Sequence, residues 1–165
     1  MKRNFLLVLF LLLLTVGLTP AAEKAPASRY DSSQPINISA DRLEADDVTR
    51  QVKFVGNVAA RQGDVVIYAA TLTLFYLEGS QEVDRIEADR EVRIVQGDRV
   101  ATGDKGVFYR ADGRVVLTGN ARVHQGSDFV EGEIITVLLG EEKSIVQGGE
   151  GSRVNAVFHP KEEPK

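Results

Sequence analysis

The chain has 165 residues, a net charge of −4 and no cysteine. That length suits one ordinary domain large enough to bury a core, and the lack of cysteine excludes disulfide support and a lipid-modified N-terminus. Acidic residues are scattered rather than blocked, and no basic stripe with interleaved aromatics appears, which excludes a nucleic-acid partner.

The first element is a leader. Lys2 and Arg3 precede an apolar run from Phe5 to Leu14, and small residues follow at Thr19, Ala21 and Ala22. This is the layout of a secretory signal peptide, and the run is short for a membrane span, which needs about 20 residues. Cleavage is expected after Ala21, with Ala25 and Ala27 forming a second option. Removing residues 1–21 takes away two basic residues and no acidic ones, which leaves a net charge of −6. The expectation is a signal peptide over 1–21, a flexible Ala/Pro/Ser-rich leader over 22–33, one domain over 34–160 and a charged tail over 161–165, with the mature protein outside the cytoplasm.

From Gln34 the texture changes to a period of two. "PINISA" puts Ile36 and Ile38 on one side and Asn37 and Ser39 on the other. The alternation continues through "VKFVGNVAA", "VVIYAATLTLFY", "EVRIV", "VATGDKGVFY", "RVVLTGNARVH", "EIITVLL" and "SRVNAVF". No stretch after the leader carries a helical period. "ADRLEADDV" over 40–48 is the nearest candidate, and its Asp-Asp followed by β-branched residues predicts a short turn instead. The chain reads as all-β.

Two segments repeat: "FVGNVAARQG" at 54–63 and "LTGNARVHQG" at 117–126. Were Gly56-Asn57 a two-residue hairpin turn, Val52 would face Arg61; in the second copy Val115 would face His124. Were the strand continuous, Val52, Phe54, Val58 and Ala60 share one face, and Val115, Leu117, Ala121 and Val123 do likewise. The continuous reading sorts both copies, so each Gly-Asn is a kink or bulge inside a strand and the turn is Gln-Gly, at 62–63 and 125–126.

A degenerate third copy, "IEADREVRIVQGD" over 86–98, aligns its Gln96-Gly97 with the others, with Arg90 in the place of the glycine and Ile86, Ala88, Val92 and Ile94 on the apolar face. Each copy leads into a return strand: Val65, Ile67 and Ala69; Val100 and Thr102; Val130 and Gly132. The unit is a long bent strand, a tight turn and a return strand, recurring at about thirty residues; such units must stack to bury their apolar faces. The absence of tryptophan and the small residues Ala60, Ala69, Ala121 and Gly132 leave space on that face.

Little in the sequence points to catalysis. His124 and His159 lack ligand-spaced partners. "GDRVATGD" over 97–104 lacks calcium-loop spacing, and Asp98 and Asp104 read as turn-capping residues. With no nucleophile elbow, phosphate loop or metal set, a non-enzymatic protein without cofactor or metal is expected.

"QPINISADRLEADDVTRQVKFVGNVAARQGDVVIYAATLTLFY" and "VVLTGNARVHQGSDFVEGEIITVLLGEEKSIVQGGEGSRVNAVFHP" resemble the opening and closing strands of the OstA-like family of periplasmic lipopolysaccharide-transport proteins. The resemblance covers roughly Gln34 to Pro160 and is less characteristic from Leu77 to Asp112. It implies an open, twisted antiparallel β-jelly roll whose apolar interior binds the lipid A part of lipopolysaccharide, with no catalysis and no cofactor. Ile36, Ile38, Phe54, Val58, Ile67, Leu72 and Leu74 in the first half, with Leu117, Val123, Ile135 and Val137 in the second, are then the expected lipid-binding residues. The resemblance also implies assembly through the terminal strands. One edge is Ile36, Asn37, Ile38 and Ser39; the other is Val154, Asn155, Ala156, Val157 and Phe158. Such a module stacks head to tail with its own copies. It meets an inner-membrane transport complex at the N-terminal edge and an outer-membrane translocon at the C-terminal edge. A structural adaptor without lipid, or the membrane-tethered partner of the same pathway, are the alternatives.

Overall fold

The computed structural model describes residues 34–138 and 143–160; the expected signal peptide, leader and tail lie outside them. The described chain is all-β, as the alternation requires. It forms β1 (Asn37–Ser39), β2 (Arg42–Asp46), β3 (Gln51–Gln62), β4 (Val65–Tyr76), β5 (Val83–Gln96), β6 (Arg99–Tyr109), β7 (Arg114–Gln125), β8 (Asp128–Leu138), β9 (Lys143–Gln147) and β10 (Asn155–Val157). All join one antiparallel sheet in the order β1-β3-β4-β5-β6-β7-β8-β10, with β2 beside β1 on β3 and β9 beside β10 on β8. The sheet is open, and each outer edge consists of a three-residue and a five-residue strand end to end.

Neither Gly-Asn is a turn. Both lie inside long strands, at the register shifts between Val55 and Val58 in β3 and between Thr118 and Ala121 in β7. Gly56 and Asn57 have φ of 83° and 46°, and Gly119 and Asn120 have 71° and 51°. The third copy makes the same kink without glycine, with Arg90 and Glu91 left-handed at 63° and 56°. Each glycine-bearing kink is held by an acid on the neighbouring segment. Asn57 Nδ2 donates to Asp41 Oδ2 at 2.8 Å, and Asn120 Nδ2 donates to Asp104 Oδ2 at 3.0 Å. A Cβ on Gly56 or Gly119 would run into those same carboxylates. At the third kink Arg90 Nη2 instead donates to Thr71 Oγ1 at 3.3 Å.

The turns follow the repeated Gln-Gly. Gln62 pairs with Val65, Gln96 with Arg99 and Gln125 with Asp128, leaving two-residue loops that begin with Gly63, Gly97 and Gly126 at φ of 58–59°. A left-handed glycine in the first position is the type II′ arrangement, whose twist suits a hairpin. The glutamines zip successive turns together: Gln96 Nε2 donates to Asp64 at 3.2 Å and Gln125 Nε2 to Asp98 at 3.0 Å. Asp98 thus serves its turn, while Asp104 holds a kink.

The kinks align across the sheet and fold it along a crease, giving a turn-side half and a loop-side half with a shared apolar interior. The loop-side half carries the row Leu43, Phe54, Leu72, Ala88, Gly106, Leu117, Ile135 and Val146, one residue from each successive strand. Leu72, Leu117 and Ile135 in that row are each 1% exposed. Burying such a side chain is worth about 1.5–3 kcal/mol, so this row anchors the fold.

Three expectations need correction. Residues 40–48 are not simply a turn: Arg42–Asp46 is strand β2, paired from Arg42↔Val55 to Asp46↔Gln51. The turn starts only at Asp46, whose carboxylate accepts the Val48 and Thr49 N–H groups at 2.8 and 3.1 Å. Val100 and Thr102 do not continue the inward face. The Gln96↔Arg99 pairing sets the phase, so Arg99 and Ala101 point inward and Val100 and Thr102 outward. Finally, Ala69, Ala121 and Gly132 do not leave space. They sit at the crease, where Ala121 is 0% exposed and a Cβ on Gly132 would meet the Gln147 carbonyl oxygen at 2.7 Å. They are small because the backbones converge there.

Candidate functional site

Between the two half-sheets lies a cavity of about 480 Å³. Pockets of about 300–1,000 Å³ accommodate drug-sized ligands. On the turn side its wall is the inward row Ile38, Ala60, Ile67, Ile94, Ala101, Val123 and Val130, in cross-strand register from β1 to β8. On the loop side the wall begins at Leu72 of β4 and continues through Ile86, Phe108, Val115 and Val137 to Ser144 and Val146 of β9. The cavity therefore runs obliquely, from an edge strand at the N-terminal end of the sheet to an edge strand at the C-terminal end. Ile36 and Ile38 border it at one end, Ser144 and Val146 at the other.

Of the residues singled out in the sequence, Ile36, Ile38, Ile67, Leu72, Leu117, Val123, Ile135 and Val137 line this cavity. Val58 and Leu74 are buried in the packed cluster instead, and Phe54 packs against it. Val58 is the first inward residue past its kink and fills the crease. The prediction omitted Ile86, Ala88, Val92 and Ile94, although the phase of the third repeat puts all four inward. It also omitted Phe108 and Val146, whose signal is register: Phe108 pairs with Ile86 and Val146 with Ile135. Gly106 matters as an absence of side chain. A Cβ there would stand 3.2 Å from Val92 Cγ1 and 3.3 Å from Leu117 Cδ2, so a larger residue would require those side chains to give way by a few tenths of an ångström.

The outward face has a different chemistry. Arg85, Arg114 and Arg122 lie over the rings of Phe75, Tyr109 and Phe129 at 3.8, 4.2 and 4.2 Å, covering aromatics that the alternation turns toward water. Glu87 receives Lys105 Nζ at 2.9 Å and Arg85 Nε at 2.8 Å. Partial burial pushes its carboxyl up, but the hydrogen bonds from Lys105 and Arg85 prevail and hold it below the usual range. The same contact raises Lys105 above its usual value. These groups brace the sheet from outside and stand away from the cavity.

The predicted edges are the ends of the sheet. Among the described residues β1 pairs only with β3 and β10 only with β8. The flanking β2 and β9 share those edges, a point the sequence reading missed. Val154, Val157 and Phe158 are exposed, Phe158 to 70%. Such strands offer unpaired backbone groups to another strand. His159 is occupied locally, its ring Nδ1 2.9 Å from Asp128 Oδ1. Among the described residues no group of three His, Cys, Asp or Glu could hold a metal ion.

Comparison with known proteins gives consistent matches. Residues 37–143 match the family described as LptA/(LptD N-terminal domain) LPS transport protein. The chain is 32% identical over 155 residues to the lipopolysaccharide export system protein LptA of Escherichia coli (strain K12), covering 90% of this chain and 84% of that one. It is 29% identical to the protein of the same name from Haemophilus influenzae, covering 85% and 86%. An uncharacterized protein of Rhizobium meliloti is 34% identical over 131 residues, covering 73% and 70%. Among solved structures, LptH, the LptA-homologous periplasmic component of the lipopolysaccharide transport device of Pseudomonas aeruginosa, superposes with a TM-score of 0.69. That match has 23% identity and covers 77% of this chain and 96% of LptH.

Proposed function

The chain belongs to the LptA/(LptD N-terminal domain) LPS transport protein family, and on that premise we propose that it is a lipopolysaccharide-binding bridge of the periplasm. It transports lipopolysaccharide, sheltering the lipid A acyl chains in the cavity while the sugars stay outside. It passes the lipid from an inner-membrane complex at the N-terminal edge to an outer-membrane translocon at the C-terminal edge, with copies stacked head to tail between them. The role is carriage rather than catalysis.

The observation that carries this reading is the course of the cavity, whose apolar wall reaches from β1 at one edge of the sheet to β9 at the other. An acyl chain held there escapes water at about 0.8 kcal/mol per CH₂. A wall that reaches both edges presents its interior to the next copy, because edge-to-edge stacking of unlike ends builds an open filament. Movement between copies is then a slide between matching grooves.

Lipid extraction of protein purified from the periplasm tests the proposal. Co-purified lipopolysaccharide, released by denaturation, is the expected result. Lipid-free protein that still assembles through its edges would leave only an adaptor role. Mass spectra of the same material should begin at Ala22 or Ser28, whereas an intact Met1 would contradict the exported assignment.

A further inference from the structure

The cavity wall is unevenly polar. Among the described residues its only charged members are Arg61 and Arg99, in a chain of net charge −4. Both stand at the turn-side end together with Gln62 and Gln96, whereas the loop-side end contributes the single hydroxyl of Ser144. Arg99 reaches this position through register: its pairing with Gln96 and Gln125 places it on the inward face, in the slot that Val65 fills one hairpin earlier. Its guanidinium is exposed and touches the Gln125 amide oxygen at 3.4 Å. Among the described residues neither Arg61 nor Arg99 has a carboxylate within ion-pair distance. The turn-side acids Asp64, Asp98 and Asp128 lie outside the wall. The first two accept from Gln96 and Gln125, and the third holds His159.

Resting on the lipid-carrier reading above, we propose that the groove fixes its lipid in one orientation. The anionic headgroup lies at the turn-side mouth against Arg99, and the acyl ends point toward Phe108, Val137 and Ser144. A few convergent polar groups in an otherwise apolar pocket set ligand direction in this way, and a guanidinium suits a phosphate or carboxylate oxygen through paired N–H donors. Every copy in a stack would then hand on its lipid with the head on the same side.

Amide NMR of the exported protein with spin-labelled stearate tests the orientation. A nitroxide near the carboxylate should broaden Gln96, Arg99 and Gln125 first, and a nitroxide near the methyl end should broaden Phe108, Val137 and Ser144. Arg99→Gln should weaken stearate binding about fivefold, the upper end for a solvent-exposed ion pair. It should leave neutral methyl stearate unaffected, and Arg99→Lys should retain most of the affinity. A reversed or uniform broadening pattern along the inward face would overturn the orientation while leaving the groove reading intact, as would equal loss for both lipids. Broadening confined to outward positions would overturn both.

Discussion

Gly119→Ala isolates the kink that folds the sheet. Gly119 has φ of +71°, and an alanine held there costs about 1–2 kcal/mol. Its Cβ also overlaps the Asp104 carboxylate, so Asp104 must move and release the Asn120 amide it accepts at 3.0 Å. A net hydrogen bond at this exposed site is worth about 0.5–1.5 kcal/mol, which brings the total to roughly 1.5–3.5 kcal/mol. Gly126→Ala is the internal control: φ is +59°, but nothing lies within 4 Å of its Cβ, so it carries the backbone cost alone. Urea unfolding at constant m-value measures both. Gly119→Ala should be the less stable by about 1 kcal/mol, and Asp104→Ala should reduce that gap. Equal midpoints for the two alanine variants would refute the role of the Asp–Gly–Asn contact.

Leu117→Asp should unfold the protein, since Leu117 is 1% exposed and an unpaired charge there costs several kcal/mol, whereas exposed Lys53→Asp should stay within about 0.5 kcal/mol of wild type by circular dichroism melting. Glu87 has its folded-state pKa depressed, so its contribution is present above the unfolded carboxylate value of about 4.3 and lost as pH falls through the lower folded value. Glu87→Gln should therefore flatten the acid limb of stability, and parallel wild-type and variant curves would disprove the assignment. Ending the chain after Gly151 removes β10 and should abolish concentration-dependent oligomers in sedimentation while sparing lipid binding; strictly monomeric wild-type protein at high concentration would count against stacking.

The fold was legible because a period of two with glycine at fixed phase leaves few choices. Val52, Phe54 and Val58 share a face only if Gly56-Asn57 lies within a strand, and the structure has that kink. The Arg90-Glu91 kink was visible by alignment, but its conformation was not, because neither residue favours left-handed backbone; the neighbouring strands impose it. Strand β2 was obscured by its charge: Arg42, Glu44 and Asp46 lie outward on an edge, where alternation has little to bury. Phase gave the inward face but not the cavity. Whether an inward residue lines open space, as Ile67 does, or fills the crease, as Val58 does, depends on its distance from the fold line across several strands. Arg99 was missed for a related reason. Alignment by hydrophobicity favoured Val100, while the backbone register of the turn decided the side.

Site-specific photo-crosslinking in cells tests the central claim most directly. A crosslinker at Ile94 or Leu117, both on the cavity wall, should capture lipopolysaccharide, and one at the adjacent outward positions Arg93 or Thr118 should not. Capture at all four positions, or at the outward pair alone, would contradict a carrier that holds its lipid between the half-sheets.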